Sequence, residues 1–186
     1  MEATYSIRDK LIDEGIRMLH KYGVDKLSLR GIAQACGVSC AAPYKHFQNK
    51  QDFIKAVVDA INLEWFNKQT NALQKIKDDA GTKLKAICKE YLLFLRDHPH
   101  FCSIIVRKDE SVGKWHINRL FDQSSTSKQL IRRYCEEKGL SSEEAYCKVY
   151  VIRALLYGSA IMNQQREMRL TDGVLEALYH AINACF

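Results

Sequence analysis

Residues 27–53, LSLRGIAQACGVSCAAPYKHFQNKQDF, constrain the fold most, because they read as two short helices joined by a glycine turn. Ser28 is a good N-cap, and Leu29, Ile32, Ala33 and Cys36 follow at helical spacing until Gly37 supplies the permissive backbone of a tight turn. Val38 is apolar and fits the angle between the helices. Ser39 then caps a second helix that carries Tyr44 and Phe47 and is otherwise small or polar. Such a helix has little to bury. Held at a fixed angle by a short turn, a helix of small exposed residues suits entry into a major groove.

The flanking segments supply a scaffold for this pair. Residues 6–22 form an amphipathic helix whose stripe of Ile7, Leu11, Gly15, Leu19 and Tyr22, with Met18 beside it, can cover the pair from behind. Asn49 is an N-cap, with Asp52 at the third position of a long helix running to about residue 77. Lys50 stands in its first turn, where a bound anion gains from both the ammonium and the exposed N–H groups. Phe53, Val57, Ala60, Ile61 and Trp65 continue one face and tie the unit to the remainder of the chain.

Residues 78–81 break that helix and Thr82 restarts another. Its Leu84, Ile87, Cys88, Tyr91, Leu92, Phe94 and Leu95 are apolar on a broad front, which implies burial against several partners, and His98–Pro99 ends it. A short apolar helix is expected over 100–107, a looser stretch over 108–113, and a helix over 115–134 interrupted at Ser124–Ser127. The last two helices, roughly 142–168 and 171–186, each carry a periodic face. One presents Tyr146, Val149, Tyr150, Arg153, Tyr157 and Ile161, the other Leu175, Leu178, Tyr179, Ile182 and Phe186. Ala154, Gly158 and Ala160 permit close helix approach. Periodicity alone does not separate an ordinary core from an interface.

Gly31-Ile32-Ala33, Ala35-Cys36-Gly37-Val38-Ser39, Tyr44-Lys45-His46-Phe47 and Asn49-Lys50, in this order, resemble the signature of the tetracycline-repressor (TetR) family. The resemblance covers roughly the first third of the chain, and its interlocking elements make it far more specific than a lone short motif. Beyond it, only length and helical character agree. Pro43 and Cys40 depart from the pattern of many relatives. The resemblance implies a DNA-binding set of Ser28, Arg30, Ser39, Cys40, Ala41, Ala42, Tyr44, Lys45, His46 and Lys50. It also implies a small-molecule effector bound among the middle helices. Tyr91, Phe94, Trp115, His116, Phe121, Tyr150 and Arg153 are the pocket candidates, with Asn118 as a further polar group. The aromatic members are equally compatible with plain core.

Composition excludes more than it identifies. With 186 residues, two Pro and nine Gly, the chain has long uninterrupted stretches that suit an all-α fold better than a β-rich one. The formal charge of +6 permits a polyanionic partner. The first 50 residues hold eight Lys or Arg against five Asp or Glu, a net of +3, so charge alone does not locate a site. Seven cysteines, an odd number without a C-x-x-C pair, read as reduced thiols in a cytoplasmic protein. The N-terminus has no apolar signal core, and VYVIRALLYGSAIM is broken by Arg153 and too short to span a bilayer. No phosphate loop, metalloprotease motif or nucleophile motif points to an enzyme or a cofactor. His98, His100 and Cys102 do not share one helical face, so no metal site is expected.

The expectation is therefore an all-α protein with a three-helix, helix-turn-helix DNA-binding unit at 1–49 and a larger helical dimerisation and effector domain at 50–186. It would act as a ligand-responsive repressor on palindromic operator DNA, as a homodimer. The dimer seam is expected at Tyr146, Tyr150, Tyr157, Gly158, Ile161, Leu175, Leu178 and Ile182. Two other classes stay open: a helical protein-interaction module without DNA, and a cysteine-based redox or metal sensor.

Overall fold

The computed structural model describes residues 6–74, 76, 79–99 and 126–186, and among them every regular element is helical. Helix α1 spans Ile7–Tyr22, α2 Leu29–Ala35, α3 Lys50–Gln74, α4 Ala80–Asp97, α5 Thr126–Lys138, α6 Ser142–Gln165 and α7 Asp172–Asn183. Two 3-10 turns, Val24–Lys26 and Pro43–Lys45, complete the set. The described residues up to Glu64 form one packed unit and those from Trp65 onward a second, so α3 contributes to both.

Local chemistry sets most of the helix starts. Ser6 and Asp9 form a reciprocal capping box at α1, as Ser141 and Glu144 do at α6. At α4 the cap is Asp79, whose carboxylate accepts the Thr82 amide at 2.7 Å. The helix therefore starts at Ala80, two residues before the expected restart at Thr82. Thr126 and Ser127 lie inside α5 rather than in a break, and Ser127 is buried. The expected helix over 100–107, the stretch over 108–113 and the 115–125 part of the next helix lie outside the described residues.

In the first unit, α1 buries Leu11, Ile12 and Leu19 with Leu27, Leu29, Ile32 and Ala33 of the α2 region. Phe53 and Val57 of α3 come so close to Gly15 that a Cβ built there would lie 2.6 Å from Phe53 Cζ and 2.7 Å from Val57 Cγ2. Gly15 is thus a contact surface. In the second unit α4 is central: its apolar front packs on α5, α6 and α7, as its breadth implies. Trp65 meets Tyr91 edge to face with centroids 4.8 Å apart. Tyr134 of α5 donates to the Phe186 carbonyl at 2.7 Å, and Lys148 of α6 to the Cys185 carbonyl at 2.5 Å, which fixes those residues beside α5 and α6.

Candidate nucleic-acid interface

The turn after α2 is built as the sequence requires. Gly37 takes φ 68°, the Val38 amide bonds the Ala33 carbonyl at 3.0 Å, and the Gly37 amide bonds Gln34 at 3.1 Å. This pair of bonds is a Schellman close, which satisfies the last carbonyls of α2 and redirects the chain. A Cβ at Gly37 would meet nothing, so the glycine is needed for its dihedral angle.

The segment beyond it corrects the expectation of a second regular helix. Proline has no N–H to donate to the carbonyl four residues back. At Pro43 that carbonyl belongs to Ser39, which accepts the Ala42 amide instead, at 2.9 Å. The next bonds also span three residues: Tyr44 to Ala41 at 3.2 Å, Lys45 to Ala42 at 3.2 Å and His46 to Pro43 at 3.0 Å. The result is a run of turns ending in the 3-10 segment Pro43–Lys45.

Burial in this segment divides cleanly. Pro43 and Phe47 face inward, and Phe47 packs edge to face on Phe53 at 5.0 Å. Ser39, Cys40, Ala41, Tyr44, Lys45 and His46 are exposed, Tyr44 by 62%, while Ala42 is half-buried. An exposed tyrosine of that size on an anchored segment offers both stacking area and a hydroxyl.

The charges around it form a pattern that sequence did not show. Carboxylates hold Arg17, through Glu14 at 2.7 Å to its Nε, and Lys55, through Asp59 at 2.7 Å. Arg30, Lys45 and Lys50 make no ion pair among the described residues. Arg30 is exposed on α2, and the Ser28 hydroxyl is engaged as the cap that accepts the Gly31 amide at 3.1 Å. Asn49 caps α3 by accepting the Asp52 amide at 2.9 Å, and the Asp52 carboxylate turns back to the Gln48 amide at 2.9 Å. The amides of Lys50 and Gln51 keep no partner among the described residues. Arg8 is a residue the sequence reading missed: its guanidinium lies 5.4 Å from the Phe47 ring centre, on the same aromatic anchor. Its place outside the apolar stripe of α1 was the available signal.

Residues 11–57, which contain α2, the Schellman turn and the reading segment, match the family described as bacterial regulatory proteins, tetR family. Residues 11–57 are thus similar to the N-terminal segment of tetR-family regulators. Among curated relatives, the class D tetracycline repressor protein of Escherichia coli is 24% identical over 168 residues, 89% of this chain and 70% of the relative. The nucleoid occlusion factor SlmA of Marinobacter nauticus is 23% identical over 126 residues, 65% of this chain and 64% of the relative. Among solved structures, the transcriptional regulator FadR from Bacillus subtilis in complex with stearoyl-CoA superposes with a TM-score of 0.69 at 12% identity, covering 95% of this chain and 98% of that one. The likeness at that identity is one of fold: a helical protein with an N-terminal helix-turn-helix and a helical C-terminal domain.

The other expected sites are dispersed. Tyr91 and Phe94 are fully buried on α4, and Arg153 is half-buried with its guanidinium 5.8 Å from the Tyr157 ring. Tyr150 is 65% exposed, beside Tyr146 at 6.4 Å. Trp115, His116, Asn118 and Phe121 lie outside the described residues, as do His100 and Cys102. In the expected dimer seam, Tyr146 is 70% exposed, and Tyr157, Gly158, Ile161 and Leu178 are half-buried. Leu175 and Ile182 are buried within the protomer.

Proposed function

We propose that this protein is a tetR-family regulator, a cytoplasmic, ligand-responsive transcriptional repressor that binds palindromic operator DNA as a homodimer. Residues 1–49 carry the reading unit, and residues 50–186 the dimerisation and effector functions. The observation that carries the reading is the reading segment itself. Exposed Ser39, Cys40, Ala41, Tyr44, Lys45 and His46 stand on a buried Pro43–Phe47 anchor, with Arg30, Lys45 and Lys50 left without ion pairs among the described residues. Lys50, Lys45, Tyr44, His46 and the capped start of α2 at Ser28 meet phosphates. Arg30 and the small residues 39–42 face base edges, the alanines and Cys40 against thymine methyl groups.

Reading a palindrome requires two units about 34 to 36 Å apart. The exposed edge of α6, with Tyr146, Tyr150 and Val151 leading to Gly158, supplies the interface. An effector acts by preferring one spacing of the two reading units over another. The cysteine-sensor alternative is weakened at Cys88, whose thiol burial pushes up to about 12, far from a reactive thiolate.

The test is titration of a duplex library across a range of salt concentrations. Lys50→Ala is expected to weaken all sequences alike and to lower the salt slope by about one unit. Unchanged affinity and slope would remove Lys50 from the contact set, and no salt-dependent binding by the parent would remove the DNA reading altogether.

A further inference from the structure

We propose that Arg8, in the first turn of α1, is a further DNA contact that donates to a backbone phosphate at the rim of the groove entered by the reading segment, a role that rests on the operator-binding reading above and extends it to a helix with no contact named there.

Two contacts fix the first turn of α1 beside the reading segment. Just before that segment the Cys36 thiol donates to the Lys10 carbonyl at 3.5 Å, and at its end the Arg8 guanidinium stands 5.4 Å from the centre of the Phe47 ring. The ring itself is held in place, since Phe47 is buried and packs edge to face on Phe53 at 5.0 Å. Phe47 follows His46 directly and precedes Lys50 by three residues, so Arg8 meets the chain between two groups assigned to phosphates.

The charge of Arg8 is available for a contact. The residue is exposed and makes no ion pair among the described residues. Its neighbour Asp9 is engaged by Ser6, accepting the amide at 3.2 Å and the hydroxyl at 2.7 Å. Asp13 lies five residues on, outside the spacings of three and four at which side chains face each other on a helix. At the start of α3 the Asp52 carboxylate is turned to the Gln48 amide. A guanidinium is planar, so with its face on the Phe47 ring its edge keeps N–H donors for a phosphate oxygen. A contact of this kind holds the reading segment in register on the duplex and carries no sequence information.

The experiment is fluorescence anisotropy of the full chain on a mixed-sequence duplex of about 30 base pairs, long enough for two reading units one helical turn apart, at salt concentrations between about 50 and 200 mM. Arg8→Gln is expected to bind about threefold to tenfold more weakly at the lower salt and to reduce the salt slope by about one unit for each bound protomer. Arg8 is exposed, so the glutamine variant keeps the fold. Arg8→Lys should keep the slope. Lys21→Gln, in the last turn of α1 and about 20 Å away by helical rise, should leave both affinity and slope as in the parent. An Arg8→Gln slope equal to that of the parent overturns the proposal, even with weaker binding, because it leaves Arg8 only as a cover for Phe47. So does an equal loss of slope in Lys21→Gln, which makes the effect one of overall charge, or a loss in Arg8→Lys as large as in Arg8→Gln. A parent without salt-dependent binding removes the DNA reading and this contact with it. A parent that binds, beside an Arg8→Gln variant of the same slope, removes the contact alone.

Discussion

Replacing Gly15 with Ala sets two known effects against each other in one methyl group. In the middle of a helix, alanine is favoured over glycine by about 1 kcal/mol. Here the new carbon would sit 2.6 Å from Phe53 Cζ and 2.7 Å from Val57 Cγ2, roughly 1 Å inside normal carbon contact. Both neighbours are buried, Phe53 against Phe47 and Val57 completely, so neither has free space to enter. Overpacking of this kind costs about 1–3 kcal/mol, and the clash should win by about 1 kcal/mol. Urea unfolding of the full chain followed by circular dichroism measures the balance. In a Phe53→Leu background, where the ring end is gone, the penalty for Gly15→Ala should shrink by about 1 kcal/mol, a coupling that pure propensity does not produce. If Gly15→Ala is as stable as the parent or more stable, the close approach of α1 and α3 is not a constraint on this fold.

Three further outcomes rest on the same structure. Arg166 holds φ 63° at the end of α6, with the Glu167 amide bonded to Met162 at 3.0 Å, so Arg166→Gly should stabilise the chain by about 0.5–1 kcal/mol in thermal unfolding. Asp9, Asp79 and Glu144 have their carboxyls held below the ordinary 3.8, 3.8 and 4.5, chiefly by hydrogen bonds from Ser6, Thr82 and Ser141 at their helix starts. Since the folded values are the lower ones, this stabilisation is complete above the ordinary range and is lost as pH falls through it. Denaturant midpoints should therefore drop below about pH 4.5 and be flat in this contribution above it. A Cβ at Gly158 meets nothing among the described residues, so Gly158→Leu should leave protomer folding intact yet separate the subunits in sedimentation; a variant that still dimerises and binds operator like the parent would displace the seam.

Sequence disclosed what is decided within a few residues. The Ser28 cap, the Gly37 turn and the Asn49 cap each depend on one side chain or one dihedral angle, and all three stand where they were expected. Pro43 was equally visible, but the helix-turn-helix pattern overrode it, and the missing N–H turned the second helix into consecutive turns. The approach of Phe53 to Gly15 spans two helices and leaves no local trace beyond a glycine in an apolar stripe. The burial of Leu175 and Ile182 is hidden from the sequence for a related reason. A core face and an interface have the same period, and only the packing of α7 on its own protomer separates Ile182, fully buried, from Tyr146.

The uneven burial of the cysteines makes the unaltered chain its own reporter. Cys40 and Cys147 are exposed, one in the reading segment and one on α6, while Cys88 and Cys135 are buried. A maleimide should modify the exposed pair first and pass over Cys88 at neutral pH. Bound duplex would shield the first thiol, and a partner subunit lying across α6 the second. The occupancy of both proposed interfaces can then be followed by mass on two peptides, without introducing a label or changing a residue.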